Sequence, residues 1–206
     1  MKFLGPVLSV FALVALAALP VERAHAASAD DAGKYVESLA KQTLSTISDK
    51  GRSKEQKSAL LQKLFSNNVD IPWVGRFVMG RFWRTASDSQ KKQYLAEYQK
   101  FLIQHYTDRF TDYTSGSFKV TGSKDDGDSE YTVSMVIQAS EAGSDPINVD
   151  YKVRKDGNSY KIFDVIVEGV SMITTQRSEF ASVLNQHDVD FLIAQLQSKS
   201  IVISDK

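Results

Sequence analysis

Residues 160–180 read YKIFDVIVEGVSMITTQRSEF, and this stretch decides how the rest of the chain is arranged. Its first eight residues are mostly apolar, which is the pattern of a strand buried on both faces. A strand of this kind lies in the middle of its sheet, so we expect packed layers above and below it. The expected faces are Tyr160, Ile162 and Ile166 on one side, and Phe163, Val165 and Val167 on the other.

The residues after this strand predict a change of layer. Glu168 and Gly169 end the strand, because glycine lets the backbone turn. Residues 172–180 then continue as a helix. A strand that passes directly into a helix places the sheet next to a helical layer.

Working outward, the strands before residue 160 form hairpins. Apolar and polar residues alternate over residues 118–120, 131–137 and 147–153, as in strands with one buried face. Polar turns are expected at residues 124–128, 141–146 and 156–158. With residues 160–167 these segments predict a four-stranded antiparallel meander.

Helical periodicity occupies the rest of the chain. Helices are expected over residues 32–47, 53–68, 70–84 and 87–113, with two more after residue 172, the last capped by Asp188 or Asp190. Ser53 with Gln56, and a second serine–glutamine pair at residues 87 and 90, fit capping boxes. Helices, then a meander, then helices predict an α+β fold.

The first 26 residues have the pattern of a cleavable signal peptide. Lys2 is followed by an apolar run, and Ala24-His25-Ala26 is a small-x-small cleavage site. The apolar run is short for a membrane span and contains Gly5-Pro6. We therefore expect residues 1–26 to be removed and residues 27–206 to form a single exported domain.

Composition narrows the classes of function. The chain has no cysteine, which excludes a disulfide framework and a lipid-modified N-terminus. Its 25 basic and 25 acidic residues balance, which argues against binding to nucleic acid or electrostatic binding to anionic membranes. The three histidines show no His-Glu-x-x-His spacing, and no Gly-x-Ser-x-Gly motif occurs. We expect no metal, no cofactor and no enzymatic activity.

Aromatic residues are concentrated between residues 65 and 113. Core packing is the commoner explanation for such a set. However, the helices over residues 70–84 and 87–113 are aromatic on more than one narrow face, and the sheet offers another apolar face. A curved sheet opposite splayed helices permits a long apolar pocket.

Arg109 lies on the same helical arc as Tyr98 and Leu102, so a charge falls within an apolar stripe. Its guanidinium group is suited to a lipid phosphate. A structural ion pair with Asp164 or Glu168 is the alternative, since buried arginines are usually paired with carboxylates.

Several blocks of the sequence resemble one known family. KIFDV at 161–165, VEGVS at 167–171, RSEF at 177–180 and GRFWRT at 80–85 occur in the order found in the MlaC family. These proteins, also called toluene-tolerance auxiliary proteins, are periplasmic phospholipid-binding shuttles. The resemblance covers essentially all of residues 27–206.

The resemblance implies a periplasmic phospholipid carrier without enzymatic activity. It would exchange diacyl phospholipid with an outer-membrane lipoprotein complex and an inner-membrane ABC transporter bearing MCE domains, and so maintain lipid asymmetry of the outer membrane. We expect a monomer. The residues expected to line the lipid pocket are Trp73, Phe77, Phe82, Tyr98, Phe101, Met135, Val149, Tyr151 and Phe163, with Arg109 as the possible head-group contact.

Two other functions remain open at this point. Related family members are associated with hopanoid or other isoprenoid lipids, and Thr175, Gln176 and His187 differ from the residues common in the family. The chain could also be an exported interaction domain with a filled core and no ligand.

Overall fold

The computed structural model describes residues 22–112, 116–139 and 145–198; side chains are described in these ranges from residue 28 onward, except at 107–112 and 139. The helices are α1 (Glu22–Ser48), α2 (Lys54–Asn68), α3 (Ile71–Met79), α4 (Asp88–Asp112), α5 (Met172–Leu184) and α6 (Val189–Ser198), with a 3₁₀ turn at Gly80–Arg84. The strands are β1 (Gly116–Gly127), β2 (Glu130–Ala139), β3 (Ile147–Asp156), β4 (Ser159–Val167) and β5 (Val170–Ser171). Most of the predicted signal peptide lies outside the described residues.

The sheet confirms the α+β class and the antiparallel meander, but it has five strands instead of four. The strands are ordered β1-β2-β3-β4-β5. The fifth is a two-residue strand formed after a tight turn, in which Glu168 and Gly169 have φ values of 47° and 82°. β4 has a strand on each side, as expected, although β5 pairs only with its last two residues. Beyond the reach of β5, its outer edge is covered by the α2–α3 junction, where the Asp70 N–H donates to the Ile162 carbonyl at 2.8 Å.

The expected turn at residues 124–128 was also mostly wrong. β1 continues through these residues, and the turn falls at Asp128 and Ser129, which both have positive φ. β1 is an edge strand, and edge strands tolerate polar and charged residues on both sides. The amino-acid composition of such a strand is therefore as polar as that of a loop, which is why a turn was expected here.

A β-bulge in β4 changes the two faces expected from simple alternation. Lys152 pairs with Asp164 and Val153 pairs with Ile162, so Phe163 is an extra residue in β4. Beyond the bulge, Val165 and Val167 lie on the same face as Ile162, in line with Tyr151 and Val149 of β3. The expectation that they share a face with Phe163 was wrong, because the extra residue shifts the alternation by one.

Helices α1 and α2 form an antiparallel hairpin. The Lys57 amine donates to the Ile47 carbonyl near the turn, and the Tyr35 hydroxyl donates to Asn68 at the other end. α2 begins at the capping box that the sequence predicts, with Ser53 and Gln56 each accepting from the other's backbone N–H. The second predicted box has the same two bonds at the start of α4.

The helix expected over residues 70–84 is interrupted at Gly80. This residue has φ 58° and ψ −129°, a conformation that only glycine adopts without strain. It ends α3 and starts the 3₁₀ turn. At the other end of the chain, Asp188, and not Asp190, caps α6 by accepting from the Phe191 N–H at 2.8 Å.

Two apolar cores result. The helical core is built from α3, α4, α5 and α6, and Phe163 is the sheet residue within it. The sheet core joins α1 to one face of β2, β3 and β4. Across the parts of the chain that are described, no helix is long and apolar enough to cross a membrane.

Candidate functional site: the inner face of the sheet

We call the sheet face that packs against α1 the inner face. Its two middle rows run straight across three strands. Val133, Tyr151 and Val165 are directly opposite one another in one row, and the next row has Met135, Val149 and Val167. Apart from the hydroxyl of Tyr151, these six side chains present no hydrogen-bonding group except the weakly accepting sulfur of methionine. The inner face is therefore a continuous apolar surface.

The two helices of the α1–α2 hairpin contact different strands of this sheet. α1 contacts β1 and β2, whereas α2 contacts β4, so β3 lies between the two helices. The apolar side chains Leu44, Ile47, Leu60 and Leu64 of the hairpin are half-buried and pack against neither core. On the sheet, Ile137, Tyr151, Val165 and Val167 are also only half-buried. Apolar surface thus remains available on both the hairpin and the sheet.

Three of the predicted lining residues lie on the inner face. Met135 and Val149 are buried, with exposures of 2% and 5%. Tyr151 lies beside Val149, and burial of its hydroxyl raises the pKa of Tyr151 to about 12.

The other six predicted residues with described side chains belong to the helical core: Trp73, Phe77, Phe82, Tyr98, Phe101 and Phe163. Tyr98 is fully buried and donates a hydrogen bond of 2.7 Å to the side chain of Gln176. The structure therefore divides the predicted set between two cores. Direct contact of any of these residues with lipid stays a prediction.

Arg109 lies in α4, but its side chain is among those not described, and neither of the roles expected for it is tested. Its two expected partners have contacts of their own. Glu168 accepts from the backbone and side chain of Asn148. Asp164 accepts from the hydroxyl of Ser171 at 2.7 Å and from the backbone of Ile173 at 3.2 Å.

Asp164 connects the sheet to the start of α5. The bulge places it on the outer side of β4, facing Ser171, the N-cap residue of that helix. Burial raises the pKa of Asp164 above its ordinary value, although its hydrogen bonds with Ser171, Ile173 and Val165 oppose the shift. These partners are a helix terminus and a strand, so the contacts shown for this carboxylate are structural.

Arg154 connects β3 to the start of α3, and sequence reasoning missed it. Its guanidinium group lies 4.6 Å from the ring centre of Trp73 and 4.8 Å from that of Phe163. It also binds Glu130 at 2.8 Å and approaches Asp70, the N-cap of α3, at 3.6 Å. No sequence motif lies near Arg154, and its partners come from distant parts of the chain. Its contacts therefore could not be predicted from the sequence.

A second polar connection missed by sequence reasoning lies inside the helical core. Gln176 is 1% exposed; its oxygen accepts from Tyr98, and its amide nitrogen donates to the Tyr106 hydroxyl at 3.2 Å. The unusual residue type at this position was noticed, but its partners on α4 could not be inferred. Within the described ranges, no group of three or more acidic or histidine side chains is placed to hold a metal ion.

The two sequence blocks at 80–85 and 177–180 meet in space. The guanidinium group of Arg177 lies 4.7 Å from the ring centre of Phe77. A β-carbon added to Gly80 would be 3.3 Å from the Nε atom of the same arginine. The blocks are therefore two sides of one contact between α5 and the end of α3.

Comparison with known proteins places this geometry in context. Over 134 residues the chain is 25% identical to the intermembrane phospholipid transport system binding protein MlaC of Haemophilus influenzae, covering 64% of this chain and 63% of that protein. Over 133 residues it is 24% identical to toluene tolerance protein ttg2D of Pseudomonas putida, covering 63% of this chain and 61% of that protein. The match thus spans less than two thirds of either relative.

The fold matches that of a phospholipid-binding protein from Ralstonia solanacearum, whose structure was solved in complex with a phospholipid. The TM-score is 0.70 at 22% sequence identity, covering 82% of this chain and 96% of the other. At this identity the similarity establishes the fold. The sequence profile of the MlaC protein family matches residues 37–198, which include the helical core and the strands of the inner face. The chain belongs to the MlaC family.

Proposed function

We propose that this protein is a periplasmic phospholipid carrier. In this proposal residues 1–26 direct export and are removed, and the domain carries diacyl phospholipid between the outer membrane and an inner-membrane transporter with MCE domains. The observation that carries the proposal is the apolar inner face beneath the α1–α2 hairpin. Met135, Val149 and Tyr151 would contact the acyl chains there. Membership of the MlaC family and the names of the two relatives support the same assignment.

The carrier works by removing acyl chains from water. Each methylene group that leaves water contributes about 0.8 kcal/mol, so a single long chain is bound strongly enough to make release into water slow. The aliphatic rows of the inner face suit this purpose, because they offer dispersion contacts without requiring the ligand to have a particular head group. Loading and unloading would therefore occur while the carrier is docked on a partner that offers an apolar path.

This mechanism requires docking partners at both membranes. We propose an outer-membrane lipoprotein complex on one side and the ABC transporter on the other, with the carrier acting as a monomer. Exchange needs the hairpin to separate from the sheet, a motion expected on the microsecond to millisecond scale.

Native mass spectrometry of the protein, purified from the periplasm without detergent, tests the proposal. We expect the mass of a chain that begins near residue 27, with close to one molecule of diacyl phospholipid bound per protein. If a single isoprenoid lipid is found bound instead, the cargo of this carrier is that lipid and not phospholipid. A ligand-free mass that persists after incubation with phospholipid vesicles would overturn the carrier function and favour an exported interaction domain.

A further inference from the structure

Tyr151 occupies the centre of the inner face. It lies on β3 between Val133 of β2 and Val165 of β4, and its neighbours two residues away on the same strand are Val149 and Val153. All four neighbours are valine, so none can accept a hydrogen bond from a phenol through its side chain. A single hydroxyl group is thus placed within an aliphatic surface.

The Tyr151 hydroxyl differs from those of the other described tyrosines whose pKa is raised by burial. Burial raises the pKa of Tyr35, Tyr94, Tyr98 and Tyr160 as it does that of Tyr151. Each of those four hydroxyls donates within the protein, to Asn68, Gly75, Gln176 and Ser28 respectively. In the part of the chain that the structure describes, the Tyr151 hydroxyl has no such partner.

A donor that is largely withdrawn from water and has no acceptor lowers stability, and the Tyr151 hydroxyl is in this position without being fully enclosed by protein. Phenylalanine would fill the same space without that cost. The hydroxyl therefore calls for a partner that the protein alone does not provide, and the half-buried ring leaves one side available for it.

The surroundings restrict the chemistry of that partner. A phosphate group here would have to be desolvated without a cation, because the neighbouring positions are aliphatic. Lys152, the nearest lysine in the chain, points to the outer face, where its amine binds Asp126 at 2.8 Å and Thr132 at 2.8 Å. A neutral acceptor attached to apolar chains is the group that fits, and in a diacyl lipid this is the ester carbonyl.

We propose that Tyr151 donates a hydrogen bond to an ester carbonyl oxygen of the bound lipid and so distinguishes acyl-ester from alkyl-ether lipids. The inference rests on the proposed carrier function. It adds a determinant of specificity at the junction of glycerol and chains, where the aliphatic rows alone would bind both lipid types equally.

The test compares two phosphatidylethanolamines with the same chain lengths, one with two ester linkages and one with two ether linkages, on wild-type protein and on Tyr151→Phe. Affinity is measured by competition with a fluorescent phospholipid. We expect the wild type to prefer the diester, and Tyr151→Phe to lose about three- to tenfold in affinity for the diester but little for the diether, as for one neutral hydrogen bond. Tyr160→Phe is the matched control, since its hydroxyl already donates within the protein, to the Ser28 carbonyl.

The outcomes separate this inference from the proposed function. If Tyr151→Phe binds both lipids as the wild type does, the hydrogen bond is absent although the carrier function stands. An equal loss for both lipids would also overturn the inference, because it would mean a change in packing. If neither lipid binds the wild-type protein, the carrier function itself fails. Thermal unfolding of Tyr151→Phe is expected to be unchanged or at a slightly higher temperature, so loss of folding does not confuse the comparison.

Discussion

At the scale of single residues, Asp164 combines burial with a structural task. Its carboxylate accepts hydrogen bonds from Ser171 and Ile173 and so joins β4 to the start of α5. Burial nevertheless raises its pKa in the folded state above the ordinary value of 3.8. The folded protein therefore holds this proton at pH values where the unfolded chain has lost it.

This difference predicts how stability depends on pH. As the pH rises from below 3.8 through the raised pKa, the unfolded state binds fewer protons at this site than the folded state, so the free energy of unfolding falls. Asp164→Asn removes the titration and replaces the oxygen that accepts from Ser171 with an amide nitrogen, which should cost about 1–3 kcal/mol at acidic pH, where the wild-type carboxyl is neutral. The stability advantage of the wild type over Asp164→Asn should then shrink as the pH rises. Urea unfolding across a pH series measures it.

Asp126→Asn is a control of opposite sign. Although burial acts to raise its pKa, hydrogen bonds with Lys152, Thr132 and Lys124 lower the pKa of Asp126 to about 2. The advantage of the wild type over Asp126→Asn should therefore grow as the pH rises from about 2 to 3.8. If the difference for Asp164→Asn stays flat or grows, the folded-state pKa of Asp164 is not raised.

Residue-level prediction succeeded where the signal was local. The capping boxes at Ser53 and Ser87 depend on residues three positions apart, and both formed as expected. Arg154 and Gln176 could not be assigned, because their partners are far away in the sequence. The Tyr98–Gln176 bond, for example, joins residues 78 positions apart.

At the scale of elements, the sequence predicted whether nearly every segment is a helix or a strand. It predicted less well which segments lie next to one another. The alternation in β4 correctly indicated a strand, but the extra residue Phe163 exchanged the faces of the residues after it. Its apolar character on both sides suggested a central strand. In the structure one side contributes to the sheet core and Phe163 to the helical core, so β4 lies at the junction of two cores.

An aromatic–cation cluster packs β3 and β4 against α3, which predicts energetic coupling. Trp73 packs edge-on against Phe163 with ring centres 5.3 Å apart, and Arg154 lies over both rings. A double-mutant cycle of Arg154→Met and Trp73→Leu, measured by urea unfolding, should give a coupling energy of about 0.5–2 kcal/mol. The coupling arises because each single change already removes the cation–π contact.

Trp83 provides the matched control for this cycle. It also packs against the helical core, but its cationic neighbour is Lys91, at 5.8 Å. Arg154→Met and Trp83→Leu should therefore be additive within about 0.5 kcal/mol. Equal coupling in both cycles would mean that the effect is a general response of the core and that the Arg154 cluster does not specifically join β3 to α3.

At the scale of the whole molecule, the arrangement of two cores was not predictable from composition. Aromatic density pointed to the helices as the wall of a pocket, yet most of those rings pack against one another, as Tyr94, Tyr98 and Phe180 do. Half-buried apolar surface lies instead on the α1–α2 hairpin and on the inner face of the sheet. Aromatic clustering shows where apolar side chains are abundant, but the arrangement of the chain determines which of them remain available to a ligand.

The motion of the hairpin relative to the sheet gives the last prediction. Gly33 of α1 lies against Ser123 of β1, and a β-carbon at Gly33 would be 3.5 Å from the β-carbon of Ser123, within the range for a disulfide. The chain has no other cysteine to interfere. Gly33→Cys with Ser123→Cys, once oxidised, would fix α1 to the sheet and raise stability by up to about 4 kcal/mol.

If lipid enters by separation of the hairpin from the sheet, the oxidised protein should take up fluorescent phospholipid from vesicles at least tenfold more slowly, and reduction should restore the rate. Equal rates before and after reduction would mean that α1 stays in place and that lipid enters elsewhere along the inner face. The reduced double variant is the control for the substitutions themselves, because it differs from the oxidised protein by a single bond.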